Sequence, residues 1–212
     1  MELPETVETA EGLSVSGASA ELLEGLLEEF ENELSRAGVP VEQSLAPGLE
    51  RDQVARVFDR LGLPVPDEIA VWFAWHNGVV DLSLWSRVFP RFEFYPIDVV
   101  ESRYSNEGGQ PLGYKDGEWN PNWIHLLGDN NGVAFECRGP TSAAPRVRPI
   151  ESTGEWGTQV DNGFCQVVSL CTPVAWWIES LRKGEFTWHP QARAWDWDFG
   201  KPYDRFEKRA YA

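Results

Sequence analysis

The stretch "LGLPVPDEIAVWFAWHNG", Leu61 to Gly78, decides the fold. Proline fixes φ and biases the residue before it away from helix, so Leu63 to Asp67 reads as a stiff connector. Pro66 suits the first turn of a following helix, with Asp67 and Glu68 favouring its positive end. Ile69, Trp72, Phe73 and His76 then recur at i, i+3, i+4 and i+7, which gives one apolar face. Asn77-Gly78 tolerates positive φ and is expected to end the helix. Just upstream, "ERDQVARVFDRLG" places Val54, Val57, Phe58 and Leu61 on a second helical stripe closed by Gly62. The centre of this region is therefore a helix–Pro–helix–Asn-Gly unit.

Moving towards the N-terminus, "AELLEGLLEEFENELSRAG" repeats Leu22, Leu26, Phe30 and Leu34 every fourth residue, with Leu23 and Leu27 beside them. Ser19 is the expected N-cap, and Gly38 followed by Pro40 ends the helix. The remaining faces carry Glu21, Glu24, Glu28, Glu29, Glu31 and Glu33. Residues 1–18 have few large apolar side chains and are expected to be flexible. Residues 19–48 are read as an acidic helical extension, 49–190 as the domain, and 191–212 as an aromatic tail packed on it.

Beyond Gly78 the pattern changes from helix to strand and loop. "PIDVVESRY" suits a short helix or a turn. "WIHLLGDNNGVAFECRG" predicts a hairpin, with strands Trp123–Leu127 and Val133–Cys137 around a turn at Gly128 to Gly132. "APRVRPIES" predicts another strand. "CTPVAWWIESLRKGEF" predicts a helix with Thr172 as N-cap, Pro173 at its first position, Val174, Trp177, Ile178 and Leu181 on one stripe, and Gly184 at the end. Asn77, Gly78, Gly128 and Gly132 are assigned to backbone geometry.

The chain has 212 residues, with 11 Trp, 11 Phe and 5 Tyr, enough to bury a core without disulfides or metals. The formal net charge is −16, and its distribution is lopsided. Twelve glutamates and one arginine fall in residues 1–50, so −11 sits there and −5 on the other 162 residues. Such a surface repels nucleic acid and anionic membranes and attracts a basic protein. Three cysteines, Cys137, Cys165 and Cys171, are an odd number without a CxxC and read as small core residues. No apolar run approaches the ~20 residues of a membrane span. "MELPETVETAEG" lacks both the basic start and the apolar stretch of a signal peptide. The expectation is a cytoplasmic bacterial protein with no membrane contact.

Three motifs together carry a resemblance. They are "VFDRLGLPVPDEIAVWFAWHNG", "WIHLLGDNNGVAFEC" and "TPVAWWIESLRKGEF". In this order the chain resembles the SMI1/KNR4 (SUKH) superfamily across about residues 50–190. It departs from the family pattern at Val79, where a second glycine is common, and at Glu136-Cys137-Arg138, where an Asp-rich segment is usual. The resemblance implies an α+β domain with a mainly antiparallel mixed sheet flanked by helices. It also implies a binding role: many bacterial members resemble immunity proteins that neutralise toxins, and fungal relatives act as regulatory scaffolds.

Chemical motifs are sparse. His76, His125 and His189 lack metal-ligand spacing, and His76 reads as a satisfied core or capping histidine. Cys165 and Cys171 share a side of an expected strand but have no partner ligands. No metal or cofactor is expected. There is no GxSxG, no Cys-His pair and no P-loop. "WDWD", Trp195 to Asp198, with Glu118-Trp119 and Glu155-Trp156, pairs carboxylates with aromatic rings, the raw material of a glycosidase. That makes a hydrolase the alternative, and a regulatory scaffold a third reading. Under the immunity reading, acids and aromatics would grip a basic, nuclease-like toxin. The candidate partner-binding residues are Asp116, Glu118, Asp129, Asp161, Trp195, Asp196 and Asp198, and the competing reading of each acid is a solvated loop residue. No catalytic residue is assigned.

Overall fold

The computed structural model describes residues 5–9, 12–80, 88, 93–106, 121–128, 131–137, 147–152, 158–159 and 169–197. Two strands, β1 (Glu5–Thr9) and β2 (Gly12–Ser16), precede helix α1 (Ala20–Arg36). There follow α2 (Val41–Ser44), β3 (Leu45–Pro47), α3 (Arg51–Leu61), α4 (Asp67–Trp75), β4 (His76–Val79), β5 (Glu93–Phe94) and α5 (Ile97–Asn106). The hairpin β6 (Trp123–Gly128) and β7 (Asn131–Glu136) leads to β8 (Val147–Ser152) and β9 (Thr158–Gln159). Helix α6 (Cys171–Arg182) and the hairpin β10 (Phe186–His189) and β11 (Ala194–Trp197) complete the described chain. The class is α+β. Strands β5 to β9 form one antiparallel sheet in sequence order, and β1–β2, β3–β4 and β10–β11 are antiparallel pairs.

The periodic stripe of α1 faces inward: Leu23, Leu26, Leu27, Phe30 and Leu34 are buried. Ser19 caps it, its hydroxyl accepting from Leu22 N at 3.1 Å. The helix is not an appendage to a domain that starts at residue 49. Its leucines belong to the same apolar cluster as Val54 and Phe58 of α3, Trp72 and Phe73 of α4, Ile124 and Leu126 of β6, and Trp177 and Ile178 of α6. Phe30 lies 5.7 Å from Trp177 and 6.2 Å from Trp75, ring centre to ring centre. It therefore joins the two tryptophan-bearing helices. Residues 5–16, expected to be flexible, pair instead as a hairpin, with Val7 opposite Ser14.

The aromatic helix ends differently from the expectation. Pro66 is the N-cap of α4 and lies one position before its first turn. The helix stops at Trp75, and His76 is already extended at φ −150° and ψ 147°. Asn77 and Gly78 thus belong to β4, and each has a separate task. The Asn77 side-chain oxygen accepts from Ile97 N at 2.8 Å, at the first turn of α5. Gly78 adopts φ +76°, and a Cβ there would stand 2.2 Å from Pro96 N, so only glycine fits. Gly128 is required for another reason: a Cβ would stand 1.6 Å from the Tyr95 hydroxyl.

Helix α6 begins at Cys171, earlier than Thr172 as N-cap would place it. Its leading N–H groups have other acceptors: Cys171 N donates to Ser169 Oγ at 3.0 Å, and Leu170 N to Glu68 Oε2 at 2.7 Å. The Thr172 hydroxyl is buried without a partner. Cys171 is therefore helical, not in a strand, and it and Cys137 are buried free thiols. Cys165 lies outside the described residues.

Candidate partner-binding surface

Helix α1 carries six glutamates, and its neighbours divide them into two groups. On one flank α6 approaches. Glu33 is buried, and its Oε1 accepts from Arg36 Nη1 at 2.6 Å and from Arg182 Nε at 2.8 Å. Arg182 Nη2 also donates to Glu29. The two carboxylates, Glu33 foremost, raise the pKa of the Arg182 guanidinium further. On the other flank, α4 and β4 approach. Glu31 Oε2 accepts from Trp75 Nε1 at 2.9 Å and lies 3.4 Å from His76 Nε2. His76 Nδ1 lies 2.9 Å from the Ala46 carbonyl oxygen, so His76 is a partnered histidine at the end of the aromatic helix.

The outer face between these flanks holds Glu21, Glu24 and Glu28, all exposed. Glu21 belongs to the helix start, where a backbone N–H and then the Ser19 hydroxyl hold its carboxyl below the ordinary range. Glu24 and Glu28 have no ion-pair partner among the described residues. Gly25 between them leaves open space: a Cβ there would meet nothing within 4 Å. The result is an acidic ridge on a helix whose opposite side is locked into the core. Seventeen residues long, α1 presents these charges on a rigid support.

The residues singled out from the sequence fare differently. Asp116, Glu118, Asp129, Asp161 and Asp198 lie outside the described residues, as do Trp119, Glu155 and Trp156. Trp195 is a core residue, 5% exposed, and not a surface anchor or sugar platform. Its ring packs edge-on against Trp188 at 5.3 Å and Phe186 at 6.2 Å, and its Nε1 donates to the Val88 carbonyl at 3.2 Å. The cause is strand alternation. Phe186, Trp188 and Trp195 point inward from the β10–β11 hairpin, while Thr187, His189 and Asp196 point outward. Asp196 is exposed, its Oδ2 3.7 Å from His189 Nε2.

His125 marks a second unusual position. It sits in the middle of β6, 8% exposed, edge-on to Tyr95 at 5.5 Å, and neither ring nitrogen has a hydrogen-bond partner. Burial first, and then the Arg103 charge, push its pKa down to about 3. A Leu127 backbone group acts weakly the other way and lies outside hydrogen-bonding geometry. Arg103 in turn stacks over the Tyr95 ring at 4.5 Å.

Among the described residues, no group of three His, Cys, Asp or Glu side chains is arranged to hold a metal ion. Nor is any helix among them long and apolar enough to cross a membrane. No protein-family model matches the chain, and no curated protein matches it.

Proposed function

We propose that this chain is a non-enzymatic binding protein of SMI1/KNR4 type, an immunity protein that neutralises a cognate basic toxin. One observation carries the reading: Glu24 and Glu28 stand exposed and, among the described residues, unpaired on a helix that the core holds rigid. Two fixed negative charges, on the half of the chain that bears most of the −16, steer a basic partner and cost little ordering entropy when it docks. A nuclease, whose cleft is built for phosphates, is the natural target for such carboxylates. The order of the sequence motifs supports the family, and the α+β class is compatible with it. The cytoplasm is where an immunity protein of this kind would meet an incoming toxin.

The described carboxylates favour this over the hydrolase reading. The most buried of them, Glu33, is held by two guanidinium groups and so is committed to structure. Trp195, one of the two aromatics of the Trp-Asp cluster, is packed inside. The test is co-expression with basic toxin domains, taken first from any toxin gene that adjoins this one. Growth should be restored, and Glu24→Lys with Glu28→Lys should abolish the protection. Release of reducing sugar from polysaccharide by the purified protein, lost in Asp196→Asn or Asp198→Asn, would establish the hydrolase instead.

A further inference from the structure

The ends of α1 and α6 and the strand β10 border an open cleft of about 470 Å³. Its functional lining is Glu33, Arg36, Arg182, Phe186, Thr187 and Trp188. We infer that this cleft is a binding site for a small zwitterion with an apolar side chain, a free α-amino acid.

The charges argue for a zwitterion. Arg36 and Arg182 both donate to the same oxygen, Glu33 Oε1, at 2.6 and 2.8 Å. Among the described residues Glu33 Oε2 therefore keeps its accepting capacity. Arg36 uses only Nη1, and Arg182 uses Nε and Nη2, so each guanidinium keeps unused donors at the cleft. One acceptor and several donors, a single ion pair apart, call for a ligand whose positive and negative groups are also adjacent. An α-amino acid has that arrangement: its ammonium meets Glu33 Oε2 and its carboxylate meets the two guanidinium groups, the favoured partners of a carboxylate. The donors are already oriented by Glu33 and Glu29, which lowers the entropy cost of binding.

The protein's overall charge narrows the choice further. A net −16 opposes a simple anion, while a ligand of zero net charge is not repelled. A simple cation would meet two arginines. The lining favours an apolar side chain, since it includes Ala37, Leu181, Phe186 and Trp188. The volume falls within the ~300–1,000 Å³ range of small-molecule sites. This inference is independent of the toxin-binding reading, since the acidic ridge is on a different face of α1.

The test is calorimetric titration of the full chain with three probes: L-phenylalanine, L-phenylalaninamide and N-acetyl-L-phenylalanine. The expected result is a Kd on the order of 1 mM or tighter for the free amino acid. The cationic amide and the anionic acetyl derivative should each bind at least ~10-fold more weakly, since each loses one charged contact. Arg36→Gln should weaken phenylalanine by a similar factor, and should lower the melting temperature less than Arg182→Ala, because Arg36 is 71% exposed and contacts Glu33 alone, whereas Arg182 holds both Glu29 and Glu33. Thr187→Trp, which fills the cleft from an exposed strand position, should abolish binding. Equal binding of all three probes, no heat for phenylalanine, or full binding by the Thr187→Trp variant would each overturn the assignment.

Discussion

The flanks and the outer face of α1 are built from the same residue, glutamate, and do opposite things. Glu29, Glu31 and Glu33 reach across to Arg182, Trp75 and His76 and fasten the helix to α6, α4 and β4. Glu24 and Glu28, on the same helix, have no such partners among the described residues and leave their charge in solvent. Glu29 and Glu33 differ from the outer pair in angular position, at about 100° per residue, whereas Glu31 lies seven residues from Glu24 at nearly the same angle and differs because α4 and β4 reach the helix at its level. An acidic helix is thus at once a structural element and a charged surface, and the two roles can be separated by substitution.

The largest effect is expected at the inner stripe on which both sets depend. Phe30→Ala removes a fully buried ring between Trp75 and Trp177 and should cost about 3–5 kcal/mol in chemical denaturation. If it cost under 1 kcal/mol, α1 would be a loosely docked extension, and the ridge would lose its rigid support.

His125 contrasts with the flank glutamates as a buried polar group given no partner. Its pKa lies near 3 in the fold and near 6.5 unfolded, so the unfolded chain binds a proton that the fold refuses. The stability associated with neutral His125 is complete above pH 6.5 and is lost as pH falls towards 3. The slope is up to about 1.4 kcal/mol per unit, or on the order of 3 kcal/mol by pH 4. His125→Leu should flatten that acid limb while changing stability little at pH 7, where it also removes two unpaired nitrogens. An acid limb unchanged in the variant would show that other groups set it.

Arg182→Ala should come next. It leaves the buried Glu33 with Arg36 alone and frees Glu29. The expected cost is about 1–3 kcal/mol, reduced from that of a fully buried pair because Arg182 is itself half-exposed. High salt should narrow the difference from wild type only slightly, because Glu33 is shielded. Smallest of all, Glu24→Gln with Glu28→Gln should change stability by less than about 0.5 kcal/mol. Its effect should appear in partner binding, as a slower association with a weaker dependence on ionic strength.

Much of the architecture was legible because local rules were strong. The four-residue period of α1, the Ser19 cap, Gly62 at the end of α3 and the β6–β7 hairpin all depend on residues close in sequence. What escaped depended on distant partners. Trp75 meets Glu31 from 44 positions away, and Arg182 meets Glu29 from 153. Neither contact has a local signature. The Thr172 cap misled because Thr-Pro is a strong helix start, yet Ser169 and Glu68 had already taken the terminal N–H groups. Trp195 looked like a surface anchor because of its acidic neighbours. The clue was in the alternation of "FTWH", which puts Phe186 and Trp188 on one side, the side that Trp195 shares opposite Trp188. Of the proposed binding acids, only Asp196 is both described and exposed. The glutamates of α1 were counted from the sequence, but dividing them into paired and unpaired sets required knowing which helices lie on either side.

The most direct measurement compares two double variants, Glu24→Gln/Glu28→Gln and Glu29→Gln/Glu33→Gln, in one pair of assays: melting temperature, and growth rescue on co-expression with a basic toxin domain that the wild-type protein neutralises. The outer pair should keep the wild-type melting temperature and lose the rescue, while the flank pair should melt several degrees lower. Full rescue by the outer pair at wild-type stability would contradict the assignment of the ridge as the partner-binding surface.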